Sequence, residues 1–249
     1  MRAYWTLTRR ELAGFLLSLG GYIIIAAALF LMGLSFVVIL DMLQEPTPMP
    51  VTELFYETPF FWLILLLTTP VITMRLFALE KFSGTFETLM TTPVSDFQVV
   101  AAKFTAGIVF YALMWLPLLG CLLVVRHYTN DSAALDGGVV AGAFLGILLL
   151  GGLFVSAGCC ASALTRSQVI AAMISLVFGA SVFLLSYLAS QLPAQDNWQT
   201  QVLSWFDLFG RMRDFARGVV DTRPVVLLVS LTLFFLFLTL RVVEGRRWK

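Results

Sequence analysis

Apolar residues in this chain are not alternated with polar ones but run together. Six stretches, residues 21–40, 60–79, 104–125, 138–164, 169–188 and 225–243, are apolar over about the 20 residues a helix needs to cross a bilayer core of about 30 Å. Runs of this length predict transmembrane helices and not barrel strands, which would leave short segments of alternating polarity. The second run is the weakest, because Thr68, Thr69 and Pro70 interrupt it. The expected fold class is an all-α polytopic membrane protein, with residues 1–249 forming a single transmembrane domain.

Polar residues gather in the connections. At the N-terminus, Tyr4, Trp5, Leu12, Phe15 and Leu16 can share one helical face, with Arg9, Arg10 and Glu11 toward water. This predicts an interfacial helix over residues 1–18; a plain positive flank that only fixes topology is the other reading. The most informative connection is residues 75–103. Arg75, Glu80 and Lys81 stand at or just past the end of the second span, and Gly84 permits a sharp turn. Thr85 can cap a short helix with Glu87 and Thr88 in its first turn, and Thr92 and Pro93 stop it. Ser95 can then cap a return helix, with Asp96 in its first turn, running through Phe97, Gln98 and Lys103 to the third span. Such a knob suits docking to a soluble partner and equally suits a helical connector. Residues 191–223 interleave Arg211, Arg213, Arg217 and Arg223 with Asp196, Asp207, Asp214 and Asp221 and with Trp198, Trp205, Phe206, Phe209 and Phe215. Short amphipathic helices at the interface are predicted, the aspartates balancing the arginines; a solvated loop is the alternative.

Charge fixes the orientation. Only 12% of residues are charged, about half the share usual in soluble domains. Six spans put both termini on one side, which collects Arg2, Arg9, Arg10, Arg75, Lys81, Lys103, Arg166, Arg241, Arg246, Arg247 and Lys249, while the first opposite loop, residues 41–58, has acidic residues and no lysine or arginine. The termini are therefore expected in the cytoplasm. A net charge of +1 without a basic block excludes a nucleic-acid binder.

Several chemistries are missing from the sequence. It has no G-x-x-x-x-G-K-[ST] phosphate loop, no H-E-x-x-H and no G-x-S-x-G, and His127 is its one histidine. Cys121, Cys159 and Cys160 lie in apolar runs and read as small hydrophobes. No ionisable residue falls deep in a predicted span, which argues against an ion-coupled carrier and fits an apolar conduit, lipid-like cargo or pure force transmission. Gly138, Gly142 and Gly146 recur every four residues and predict close helix packing within the chain, or a face that slides against a neighbour. Ser175, Ser181 and Ser186 with Gly179 could line a path or bond their own helix.

Two blocks carry a resemblance. The first is Pro70, Ile72–Thr73–Met74–Arg75, Glu80–Lys81, Gly84–Thr85, Glu87, Leu89, Thr92–Pro93, Ser95 and Lys103–Phe104. The second is Phe215, Arg217–Gly218–Val219, Asp221–Thr222–Arg223, Leu228, Ser230–Leu231, Phe234–Phe235–Leu236 and Leu238–Thr239, with Pro224 as a departure; Leu164–Thr165 and Gln168 also agree. Together they resemble the permease subunits of ABC-2 type transporters, nearest to the gliding-motility (GldF-like) permeases and more distantly to the NosY-like permeases.

The resemblance implies six spans, an N-terminal interfacial helix, a cytoplasmic coupling helix between spans two and three, and small outer helices between five and six. It implies that residues 84–92 dock in a separate ATPase chain, with Glu80 and Lys81 at the entrance. The site residues it implies for ATPase coupling are Arg75, Glu80, Lys81, Gly84, Thr85, Glu87, Thr88, Leu89, Thr92 and Pro93. ATP and Mg would be held by two copies of that ATPase, with no cofactor on this chain. Further implied partners are a second permease copy or a paralogue, and a membrane-anchored periplasmic protein, for which Arg213, Arg217, Asp221 and Arg223 are the docking candidates. The expected location is a bacterial inner membrane. The functions open at this point are an ATP-driven exporter, a module that transmits ATPase strokes to a periplasmic partner without conducting a substrate, and a secondary carrier.

Overall fold

Lipid offers a backbone no hydrogen-bond partners, so long apolar runs close their own bonds as helices. The computed structural model of the chain describes residues 2–42, 51–86, 94–129, 136–191 and 207–247, and among these every regular element is helical. In chain order they are α1 (Arg2–Leu16), α2 (Leu19–Met42), α3 (Val51–Glu57), α4 (Pro59–Thr73), α5 (Ala78–Ser83), α6 (Asp96–Trp115), α7 (Pro117–Thr129), α8 (Gly137–Leu164), α9 (Gln168–Gln191), α10 (Leu208–Ala216) and α11 (Thr222–Arg247). Among the described residues six spans are long and apolar enough to cross a membrane: α2, α4 with α5, α6 with most of α7, α8, α9 and α11. An even number leaves α1, α5 and the end of α11 on one face, the N-terminal face, and α3 and α10 on the opposite one.

Span four, α8, is the axis of the bundle. It packs against α4, α6, α9, α10 and α11, and its length from Leu150 to Ala163 is buried without interruption. Glycine makes several of these approaches possible. A Cβ on Gly151 would fall 2.1 Å from the Tyr111 ring, and one on Gly158 would fall 2.2 Å from Thr73. By contrast α9, α11 and α2 bury little of themselves and turn broad apolar faces outward.

Two spans are not continuous. The third bends at Leu116, immediately before Pro117, which has no N–H to continue the ladder. The second carries Pro70 inside α4 and then breaks over residues 74–77. The segment 41–58, expected to be an outer loop, contains the buried helix α3. Aromatic edges hold α3 down: the Phe55 ring lies 5.8 Å from Phe61 and 5.9 Å from Trp115, and Tyr56 lies 4.5 Å from Phe61. All three cysteines are unbridged, with Cys159 and Cys160 buried.

Candidate functional site

On the N-terminal face, Ser95 caps α6 by accepting a bond from the Gln98 N–H, with Asp96 in the first turn. About two turns later α6 places Lys103 against α1 and α5. The Lys103 side chain is 2% exposed, and its Nζ lies 3.1 Å from Glu11 Oε1 and 3.0 Å from Glu80 Oε1. Arg10 reaches the same Glu80 oxygen from α1, at 3.2 Å. The Lys103 contacts are ion pairs without hydrogen-bond alignment, and Glu80 Oε2 is buried with no partner. The cluster is thus held mainly by charge, and losing either sign would strand the other in a dry setting. Lys103 Nζ also lies 5.4 Å from the centre of the Phe77 ring.

This changes the roles of several residues. Glu11 was expected to face water and instead points inward at Lys103. Trp5, expected on the apolar face of α1, is exposed on the surface of the chain, while Tyr4 donates or accepts a 2.7 Å bond with Thr105 Oγ1. Glu80 and Lys81 are buried, and Lys81 Nζ donates to the Ala163 carbonyl at the C-terminal end of α8, where positive charge is favoured. Arg75 lies over Gly20, with Nη1 3.5 Å from Ser18 Oγ. Gly84 ends α5 in the left-handed region at φ +75°, a conformation only glycine adopts freely. Thr85 Oγ1 lies 2.8 Å from Ser83 Oγ. Glu87, Thr88, Leu89, Thr92 and Pro93 lie outside the described residues.

On the opposite face α3 and α10 form a cap. Asp207 receives the Gly210 N–H at the start of α10, and Ser186 of α9 accepts from the N–H groups of Leu208 and Phe209 at 2.8 and 3.1 Å. At its end, Gly218 at φ +80° closes a Schellman turn in which Gly218 N–H donates to Phe215 and Val219 N–H to Asp214. Thr52 of α3 donates to the Ala216 carbonyl at 2.7 Å. Tyr56 donates to Ala143 at 2.5 Å, and burial pushes its phenol well above the ordinary range, so it remains a donor.

Arg213 and Arg217 of this cap make their ion pairs with carboxylates of α3. Arg217 gives Nε and Nη2 to the two carboxylate oxygens of Glu53, at 2.9 and 2.6 Å. Arg213 Nη2 lies 2.5 Å from Glu57 Oε1, and its Nε 3.5 Å from Glu53. Asp207 and Asp221 serve as local caps instead, Asp221 for the Arg223 N–H. Of the four residues expected to face a periplasmic partner, Arg213 and Arg217 are engaged by α3, while Asp221 and Arg223 are exposed. The Glu53 pairing raises the Arg217 guanidinium still further above its ordinary range.

Gly142 and Gly146 receive this cap on α8. A Cβ on Gly142 would lie 2.7 Å from the Phe215 carbonyl oxygen, and one on Gly146 would lie 3.1 Å from Phe215 Cβ. Gly138 meets only its own cap residue, Asp136. Ser181 bonds its own helix at Val177.

The residues that sequence reasoning missed are Glu53, Ser162, Gly151 and Gly158. Glu53 had a faint signal, two carboxylates four apart beside Leu54 and Phe55; Ser162, in a run of small residues, had none. Ser162 Oγ accepts from the N–H groups of Phe77 and Ala78.

A model of the family described as ABC-2 family transporter protein matches residues 20–184, about two thirds of the chain, from the first span to most of the fifth. No curated protein matches the sequence.

Proposed function

The chain belongs to the ABC-2 transporter family as a membrane-spanning permease component, a family that works with ABC ATPase chains; from that premise we propose that residues 84–92 are the coupling segment that docks in such an ATPase. The observation that carries the reading is the mount behind that segment. Lys103, buried between Glu11 and Glu80, ties α1, α5 and α6 together at its entrance. A push on the segment is therefore delivered to packed helices and not absorbed in loose linkers.

The Lys and Arg bias supports cytoplasmic termini in a bacterial inner membrane. ATP and Mg belong to the ATPase chains, and the permease works as a pair, with a second copy or a paralogue. Its task is ATP-driven export of an apolar or amphipathic molecule. The α3–α10 cap favours a second reading, force transmission to a membrane-anchored periplasmic protein, the partner implied by the resemblance to gliding-motility permeases. Because Glu53 and Arg217 fasten α10 to α3, and Gly142 seats it on α8, a partner resting near Asp221 and Arg223 would follow the motion of span four.

Co-purification with the ATPase chain tests the docking. The double variant Glu87→Lys, Thr88→Trp is expected to insert normally and to lose the ATPase. A variant that still co-purifies and stimulates hydrolysis at the wild-type rate removes the assignment.

A further inference from the structure

The second span is interrupted where a continuous helix would be the simplest way to join a docking segment to the membrane. α4 ends at Thr73, α5 begins at Ala78, and the N-cap position between them, Phe77, supplies no side-chain bond. A break leaves orphan N–H and C=O groups, which lipid cannot satisfy. Here one hydroxyl from another span satisfies three of them. Ser162 Oγ of α8 accepts from Phe77 N–H at 3.1 Å and Ala78 N–H at 3.0 Å, and lies 3.3 Å from the Met74 carbonyl it donates to. Ser162 is fully buried.

The two sides of the break are tied to span four in different ways. On the α5 side the ties are polar: Ser162 to Phe77 and Ala78, and Lys81 Nζ to the Ala163 carbonyl. A third tie runs to span three, from Glu80 to Lys103. On the α4 side one polar tie, from Ser162 to the Met74 carbonyl, reaches the C-cap, and the rest is van der Waals packing. Thr73 lies against Gly158, and the hydroxyls of Thr68, Thr69 and Thr73 are all turned onto carbonyls of their own helix, at Ile64, Leu65 and Thr69. Directional bonds resist sliding, whereas a glycine face in van der Waals contact permits it.

From this asymmetry we infer that residues 74–77 are a hinge and that α5 moves as one body with spans three and four, not with the rest of span two. Motion entering at residues 84–92 then bypasses α4 and is delivered to α6 and α8, with the Ser162 hydroxyl as the pivot that keeps the broken backbone satisfied throughout. Only the source of the push rests on the docking proposed above; the hinge is a property of the chain alone.

The test uses the full chain in nanodiscs, with Cys121, Cys159 and Cys160 replaced by alanine and spin labels at exposed positions: Leu67 on α4, Phe82 on α5 and Leu164 at the end of α8. The Phe82–Leu67 distance distribution is expected to be roughly twofold wider than the Phe82–Leu164 one. Ser162→Ala is expected to widen the Phe82–Leu164 distribution and to speed amide exchange at Phe77 and Ala78 about tenfold, the effect of one lost hydrogen bond. Lys81→Met should widen the same pair without changing exchange at Phe77. Equal widths in the unsubstituted chain, or exchange at Phe77 unmoved by Ser162→Ala, overturn the hinge. Adding the ATPase separates the two readings. If the unsubstituted chain fails to bind it, docking falls while the label and exchange results still decide the hinge. If binding holds and the label pairs fail, the hinge alone falls.

Discussion

Glu53 and Arg217, 164 positions apart, meet in a two-pronged ion pair in which the carboxylate is 1% exposed and the guanidinium 48%. The asymmetry predicts unequal substitutions. Arg217→Met leaves a buried charge with only the 3.5 Å approach of Arg213, and should be the more destabilising of the two single changes. Glu53→Gln keeps an acceptor and should cost about 1 kcal/mol. The double variant should be less damaged than Arg217→Met alone. Thermal unfolding in detergent gives the order, and Glu53→Gln proving the worse single change would contradict the pairing.

Arg217 should hold its charge well into alkali. Arg217 is raised above its already high ordinary value by the Glu53 bonds. A base so raised contributes stability that is complete below its unfolded pKa and lost only as pH climbs through the folded one, far into alkali. The stability difference between the unsubstituted chain and Arg217→Met should therefore not shrink as pH rises from about 7 to about 9. A difference that shrinks toward the upper end would show that another group carries the clamp.

The glycines of α8 should not respond alike, although their spacing is regular. Gly138→Ala meets only Asp136 and should be near neutral. Gly142→Ala drives a methyl to 2.7 Å from the Phe215 carbonyl and should cost about 1–3 kcal/mol, with Gly146→Ala between the two. Equal melting temperatures for all three variants would mean that the cap does not sit on this stripe.

How far this arrangement was legible depends on the distance over which its causes act. Apolar runs act locally, so span four was placed at 138–164 and is found at Gly137–Leu164, and the Ser95 cap and the Gly84 turn could be read from a few neighbouring residues. The partners of Arg217 could not. Asp214 and Asp221 were closer in sequence, but α10 aims its arginines across the cap at α3, whose seven residues were too short to stand out as a helix. Glu11 was read as facing water because its fate depends on Lys103, more than 90 residues on. Thr68, Thr69 and Pro70 marked a weakness in span two, yet the break lies further along, where Ser162 can reach it.

Lys103→Met should release the N-terminal helix. Without that cation Glu11 and Glu80 face each other with only the half-exposed Arg10 between them, and the loss should approach the roughly 3–5 kcal/mol of a broken buried pair. Trypsin should then cut at Arg9 and Arg10 faster, and adding Glu80→Gln should restore part of the protection. Unchanged cleavage would mean that packing, including the stacked Phe15 and Phe110 rings, holds α1 by itself.

Labelling of intact cells decides the orientation. Val219→Cys, exposed beside α10, should react with an impermeant maleimide, and Trp5→Cys, exposed on α1, should react only after the membrane is opened. The reverse pattern would invert the topology.

The serine at the break also bears on how the molecule is made. Phe77 and Ala78 leave the ribosome 84 or more residues before Ser162 exists to accept their N–H groups. Until then the form that satisfies those groups in lipid is an unbroken helix. The break in span two therefore acquires its hydrogen-bond partner only once span four stands beside it.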